Sequence, residues 1–356
     1  MKRRGFYLFI ALIVSLTSFS QNEKKEIKNI KQIFYGETGN LYNEGEWLNG
    51  ERNGWHKFYD ENGKLYHEGN YKEGKQSGLA QYYYENGQLF NEGNWKNGKR
   101  NGLFMYYYEN NHLEAEKHWK DGKQNGAYKS YYESGQLKFE ENFKNGKKDG
   151  SSKWYYEDGQ IKSENQFKEG KRIGSSKQFF ENGQLEFEKS WKNGKQNGLI
   201  KLYYENGNLL SEGNWKDGKK EGSHKNYHTN GKIKHEGTFE NGLKEEIHKW
   251  YYNTGELNEE GYFKNGKHQG LFKWYYEQEQ LEIKGSYKDD HYHGLFKWYY
   301  ESGKLKKVGV FKNGKKTGLH KKFYENGQLE FIKIYEDGEN VDKKCWNEKG
   351  NELDCE

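Results

Sequence analysis

An aromatic side chain returns every 24 positions along this chain, at Trp47, Tyr71, Trp95, Trp119, Phe143, Phe167, Trp191, Trp215, Phe239, Phe263, Tyr287, Phe311 and Tyr335, without an insertion or deletion. A fixed period of roughly 20 to 50 residues marks stacked supersecondary units, each stable only against its neighbours. The 356 residues would by length alone suggest two or three globular domains. The repeat nevertheless fills almost everything from Tyr35 to the C-terminus. The predicted organisation is therefore a signal peptide over 1–20, a linker over 21–34 and a repeat array over 35–356.

The N-terminus opens with Lys2, Arg3 and Arg4, continues through the apolar run Phe6 to Leu16, and reaches the small residues Ser18 and Ser20. That order is a secretory signal, with cleavage expected between Ser20 and Gln21. The run is shorter than the roughly 20 residues a membrane span requires. The expectation is an exported protein, periplasmic or extracellular at the cell surface. Without its first 20 residues the chain falls from 59 basic against 54 acidic side chains to 56 against 54, a net of +2. Lys and Glu are interspersed rather than blocked, so the basic stripe that displaces counterions from phosphates is missing, and nucleic acid is not an expected partner.

A chain that is only 31% hydrophobic and 32% charged has the composition of a disordered polymer. Its 11 Trp, 31 Tyr and 20 Phe, recurring in register, argue for order instead. Proline is absent, so nothing interrupts a backbone ladder.

One repeat shows the unit. A turn at Glu61, Asn62 and Gly63 leads to a strand from Leu65 to Tyr71, a loop from Lys72 to Gly78, a strand from Leu79 to Tyr84, and the next turn at Glu85, Asn86 and Gly87. Asn-Gly between alternating strands signals a two-residue type I′ hairpin, since both turn positions need positive φ. The predicted fold is all-β: tandem 24-residue β-hairpin repeats forming one elongated, twisted antiparallel sheet. A two-residue turn at Asn86-Gly87 would place Gln81 opposite Glu92. Whole periods then set Lys57 against Glu68, Lys129 against Glu140, Lys153 against Glu164, Lys177 against Glu188, Lys201 against Glu212, Lys225 against Glu236 and Lys249 against Glu260. A slip of one residue would break every pair. In the last repeats Lys284, Val308 and Ile332 replace the glutamate, which predicts a different surface there. Simple alternation puts Tyr84, Leu89 and Trp95 on one face and Tyr83 with the Lys and Glu ladder on the other, and a single layer would expose most of both faces.

The unit Glu-Gly-Asn-Trp-Lys-Asn-Gly-Lys-x-x-Gly, at Glu92 to Gly102 and Glu212 to Gly222, resembles the MORN repeat. Its continuation Tyr-Tyr-Glu-Asn-Gly-x-Leu, at Tyr203 to Leu209, is similar to the bacterial variant in YwqK-type antitoxin repeat proteins. The resemblance implies a MORN-like array that scaffolds proteins and, in some cases, contacts membrane phospholipid; its antitoxin branch implies binding and neutralising a partner toxin.

No catalytic constellation stands out. Glutamates at 24-residue spacing are not a paired acid and base, and no Gly-rich loop precedes a helix. No enzyme activity, cofactor or metal is expected. The segment Asp289, Asp290, His291, Tyr292, His293 carries metal-ligand residue types, but on one loop without separated supporting segments, and reads as a His-rich polar loop. The two cysteines, Cys345 and Cys355, flank Lys349, Gly350 and Asn351. In an exported chain they form a disulfide, with a three-residue turn setting them face to face. The functional expectation is a scaffold that binds a protein partner along the ribbon. Glycan or cell-wall binding through aromatic rings, an antitoxin or immunity role, and a membrane surface are the alternatives.

Overall fold

A computed structural model describes residues 30–36 and 39–355, so the signal cleavage position Ser20/Gln21 lies outside the described residues. The chain is all-β, with strands recurring in pairs at the sequence period. It divides into two units, up to Arg172 and from Ile173. In the first, strands from Ile30–Tyr35 to Ile161–Lys168 form a meander, each antiparallel to its successor. The second continues the same pattern to Glu352–Leu353.

The first strand takes in residues 30–34, which the sequence pattern assigned to the linker. It pairs with Leu41–Leu48, and Phe34 meets Trp47 edge to face with ring centroids 5.5 Å apart. This strand caps the ladder without the repeat's own Glu-Asn-Gly template, so periodicity did not reveal it.

The two turns exchange the roles expected of them. At Glu85-Asn86-Gly87 the Tyr84 amide donates to the Gln88 carbonyl at 2.8 Å and the Gly87 amide donates to the Tyr84 carbonyl at 2.9 Å. Gly87 has φ +84° while Asn86 stays outside the left-handed region. This is a three-residue loop, a type I turn closed by a left-handed glycine, not a type I′ turn. The type I′ signature sits at the other connection, where Glu73 and Gly74 both have positive φ (50° and 69°) between paired Lys72 and Lys75. The expected loop from Lys72 to Gly78 is thus a two-residue turn, and the following strand already runs over Lys75–Tyr83. Gly78, at φ +96°, forms a bulge inside it.

The predicted register holds all the same. The longer loop shifts the pairing to Tyr83 opposite Leu89, and a bulge at Phe90 restores it, so Tyr82 faces Asn91 and Gln81 faces Glu92. Each expected Lys and Glu partner is opposite the other, from Lys57 and Glu68 to Lys249 and Glu260. The bulge also corrects the faces: Leu89 lies opposite Tyr83 and so shares the Lys and Glu face, not that of Trp95.

The C-terminal hairpin follows the same turn rule. Its loop is Glu348, Lys349 and Gly350, one residue earlier than predicted, because the left-handed glycine must come last. Cys345 therefore faces Leu353, and Cys355 reaches it diagonally to form the disulfide, with Cα atoms 5.5 Å apart.

Candidate interaction faces

One face is organised by a row of residues nine positions after each anchor. His56, Ala80, Phe104, His248, Phe272, Phe296 and His320 are all within 1% of complete burial, although each belongs to a single layer. Their neighbours explain it. Phe272 lies opposite Gly261 on one side and Gly285 on the other; a Cβ on Gly261 would overlap its ring, and one on Gly285 would overlap the next ring, Phe296. His56 stands likewise between Gly45 and Gly69, and His248 between Gly237 and Gly261. The ring lies over bare backbone, and the flanking anchors close it off edge to face. This corrects the expectation that a single layer leaves both faces open.

The anchors are the other half of that ladder. In the second unit Trp215, His224, Phe239, His248, Phe263, Phe272, Tyr287, Phe296, Phe311, His320 and Tyr335 touch in sequence, with successive ring centroids 4.8 to 6.2 Å apart. In the first unit Trp47, His56 and Tyr71 form one such run, and Trp95, Phe104 and Trp119 another. Edge-to-face pairs contribute roughly 0.5 to 1.5 kcal/mol each beyond area burial. Where Glu141, Asn165 and Lys189 replace the glycine, Ser152, Ser176 and Ile200 replace the ring, whereas Lys117 keeps a ring opposite it, Tyr128. Glu141, only 4% exposed, faces Ser152, whose hydroxyl donates to it at 3.0 Å, while Lys148 Nζ approaches to 2.5 Å and Trp154 Nε1 donates at 3.2 Å. The sequence signal, Gly two residues before the anchor paired with a ring nine after it, was present and went unread.

Beside this row, four positions before their anchors, two further buried histidines are held neutral. Desolvation pulls His235 down to about 4, aided by the charge of neighbouring His248, and its Nε2 lies 2.9 Å from His248 Nδ1. Burial does the same to His67, also to about 4.

The opposite face carries the Lys and Glu ladder, and most of its glutamates gain a tyrosine. The hydroxyl of Tyr59 donates to Glu44 at 2.8 Å, Tyr83 to Glu68 at 2.6 Å, Tyr227 to Glu212 at 2.8 Å and Tyr251 to Glu236 at 2.7 Å. Burial and the carboxylate together push Tyr59 and Tyr227 up to about 12. Lys57 lies 3.7 Å from Glu68, Lys153 3.5 Å from Glu164 and Lys273 2.6 Å from Glu260. The second tyrosine of each dyad ties repeat to repeat, as when Tyr84 donates to the Tyr107 carbonyl and Tyr276 to the Tyr299 carbonyl. These carboxylates are occupied in structure.

The His-rich loop does not assemble its residues. Asp290 accepts from the amide and Nδ1 of His268, both at 2.8 Å, which holds its carboxyl below the usual range, while His291 turns to the Asp289 carbonyl. Among the described residues no group of three His, Cys, Asp or Glu is placed to hold a metal.

The family model described as MORN repeat variant matches twelve consecutive segments, each closely one observed period: 52–73, 76–97, 100–121, 124–145, 148–169, 172–193, 196–217, 220–241, 247–265, 269–289, 292–313 and 316–337. The chain belongs to the MORN repeat variant family. As a MORN array it is a repeat scaffold, and its hairpins, anchors and glycines are the family's unit written out. No curated protein matches it. Among solved structures it is similar to the crystal structure of TcdB2-TccC3-Cdc42, with 10% identity, 91% of this chain and 22% of that chain covered, and a TM-score of 0.18. It is also similar to the Tc holotoxin pore of Photorhabdus luminescens carrying TccC3-D651A, with 12% identity, coverage of 91% and 20%, and a TM-score of 0.16. The MORN chain spans about a fifth of the length of these solved chains.

Proposed function

We propose that this MORN array is a non-enzymatic scaffold of the bacterial cell envelope that binds a protein partner. The observation that carries the reading is the exposure of large apolar side chains in a row on the Lys and Glu face. Leu199 is 44% exposed, Ile247 55%, Leu271 44%, Leu295 50% and Leu319 46%, at successive or alternate repeats. An ordered row of exposed aliphatic residues on a rigid sheet is the character of a binding surface rather than of scattered surface apolar residues. The carboxylates and histidines that could do chemistry are instead tied into ladders or buried. Toxin neutralisation, implied by the YwqK-type resemblance, is a special case in which the partner is a toxin encoded beside this chain.

Export is tested by fractionation with N-terminal sequencing, which should find the chain in the envelope beginning at Gln21. Retention of the folded chain on peptidoglycan, reversed by soluble sugar, with no protein captured from an envelope extract, would replace the protein partner with a glycan.

A further inference from the structure

The scaffold changes character towards its C-terminus, and two independent changes coincide. Along the Lys and Glu face, lysines and glutamates alternate without a break from Glu116 to Glu260, which Lys273 engages at 2.6 Å. Beyond it the cross-strand order is Lys273, Lys284, Lys297, Val308, Lys321, Ile332, Lys344, with no carboxylate in the row. Lysine set directly against lysine, as Lys284 is against Lys297, works against sheet stability. At Val308 the supporting tyrosine is gone as well, Phe323 standing fifteen residues on, as Phe179 does after Glu164, while Tyr299 remains after Lys284. Beside this row, two residues earlier on the same strands, runs the second. Before 247 that position varies, with Leu79, Leu103 and Leu199 among Ala127, Ser151, Ser175 and Ser223, whereas Ile247, Leu271, Leu295 and Leu319 fill four successive repeats without a break. Tyr262 and Ile334, opposite Ile247 and Leu319, widen the strip and are 40% and 37% exposed.

We infer that this face of the last repeats, with Lys284, Lys297, Lys321 and Lys344 flanking the strip of Ile247, Leu271, Leu295 and Leu319, docks an acidic amphipathic helix of the partner protein. The inference rests on the scaffold reading and names the chemistry of its partner. Charge complementarity sets the sign. Spacing sets the secondary structure: Leu271, Leu295 and Leu319 lie on every second strand, as do Lys297, Lys321 and Lys344. Every second strand is about 9.6 Å, close to the roughly 10.5 Å of one helical heptad. A strand lying along the rows would repeat its side chains every ~6.8 Å and fall out of step. From Ile247 to Leu319 the strip crosses six strand steps, about 29 Å, the length of three heptads. Leucine and glutamate columns side by side on one helix face satisfy both rows.

The probe is a fluorescent peptide of three heptads, Leu at the seam and Glu in the adjoining column, titrated by anisotropy against the chain. K284E/K297E/K321E/K344E should weaken binding by about tenfold or more, L295S/L319S comparably, and a peptide with Lys replacing Glu should not bind. Circular dichroism and an unchanged thermal midpoint show that each variant is folded. Equal binding by wild type and the lysine variant, equal binding of a leucine-free polyglutamate, or capture of phosphatidylglycerol vesicles but not the peptide would overturn the inference. If the peptide fails while the folded chain and the lysine variant both retain a stoichiometric envelope protein, the docking face is wrong and the scaffold stands. If wild type retains no protein at all, the scaffold reading fails with it.

Discussion

Replacing Gly261 by Ala is the sharpest test of how the sheet buries its rings. Gly261 lacks positive φ, so the backbone tolerates alanine, and the added methyl would if anything gain roughly 0.5 to 1 kcal/mol from reduced chain entropy. The structure predicts the opposite sign. Phe272 is completely buried above Gly261, and the new Cβ would overlap its ring. Overpacking of this kind costs roughly 1 to 3 kcal/mol, leaving a net loss of up to about 2.5 kcal/mol. Phe272→Ala alone should cost about 3 to 5 kcal/mol through its cavity. Combined, the two should recover about 1 to 3 kcal/mol relative to additivity, since the methyl then enters vacated space. In repeat arrays energies are local and global unfolding is not two-state. The assay is therefore amide hydrogen exchange, comparing residues 257–275 with the distant strands 41–59. Gly69→Ala, whose Cβ would meet the Ala80 methyl at 2.9 Å, its Cα at 3.2 Å and Gln76 Nε2 at 3.3 Å rather than a ring, should cost less. Unchanged exchange in Gly261→Ala, or strict additivity in the double variant, would refute the ring-over-glycine account.

Acidification should loosen the array through its buried histidines. The folded pKa of His235 lies at about 4 against an ordinary 6.5, so its contribution is complete above pH 6.5 and is lost as pH falls towards 4, up to about 3 kcal/mol; the thermal midpoint should fall over that window, less so in His235→Phe. Tyr251→Phe, which deletes a 2.7 Å bond to Glu236, should cost about 1 kcal/mol, whereas Phe323→Tyr, facing no carboxylate at Val308, should gain nothing in the same exchange measurement. Glu279 occupies the turn-glycine position at φ +67°, so Glu279→Gly should stabilise its hairpin by about 1 kcal/mol, read as slower local exchange.

The fold was legible because its signals are periodic. Anchors, Asn-Gly turns and Lys and Glu partners each recur in step, and any register that satisfied one repeat satisfied all. The turn types were misread because the repeat contains two Asn-Gly-like connections, and only the one following Lys leaves room for positive φ at both positions. The register survived because an added loop residue and an added bulge residue cancel. The leucines were assigned to the wrong face for the same reason, since alternation cannot see a bulge. The ring row was missed because His, Phe, Ala, Ser and Ile share no hydropathy, and only their opposition to glycine or to a longer side chain unites them. The replacement of glutamate by Lys284, Val308 and Ile332 was visible, but its coincidence with the aliphatic strip needed the pairing of strands.

The most direct test of the account places a photo-reactive amino acid at Leu295, and separately at Leu79 in the N-terminal unit, and irradiates intact cells. Both positions are exposed, at 50% and 37%, so either can report a neighbour. The account predicts a discrete protein adduct from Leu295, lost in K284E/K297E/K321E/K344E, and none of equal yield from Leu79. No protein adduct from Leu295 in folded, exported chain would contradict it.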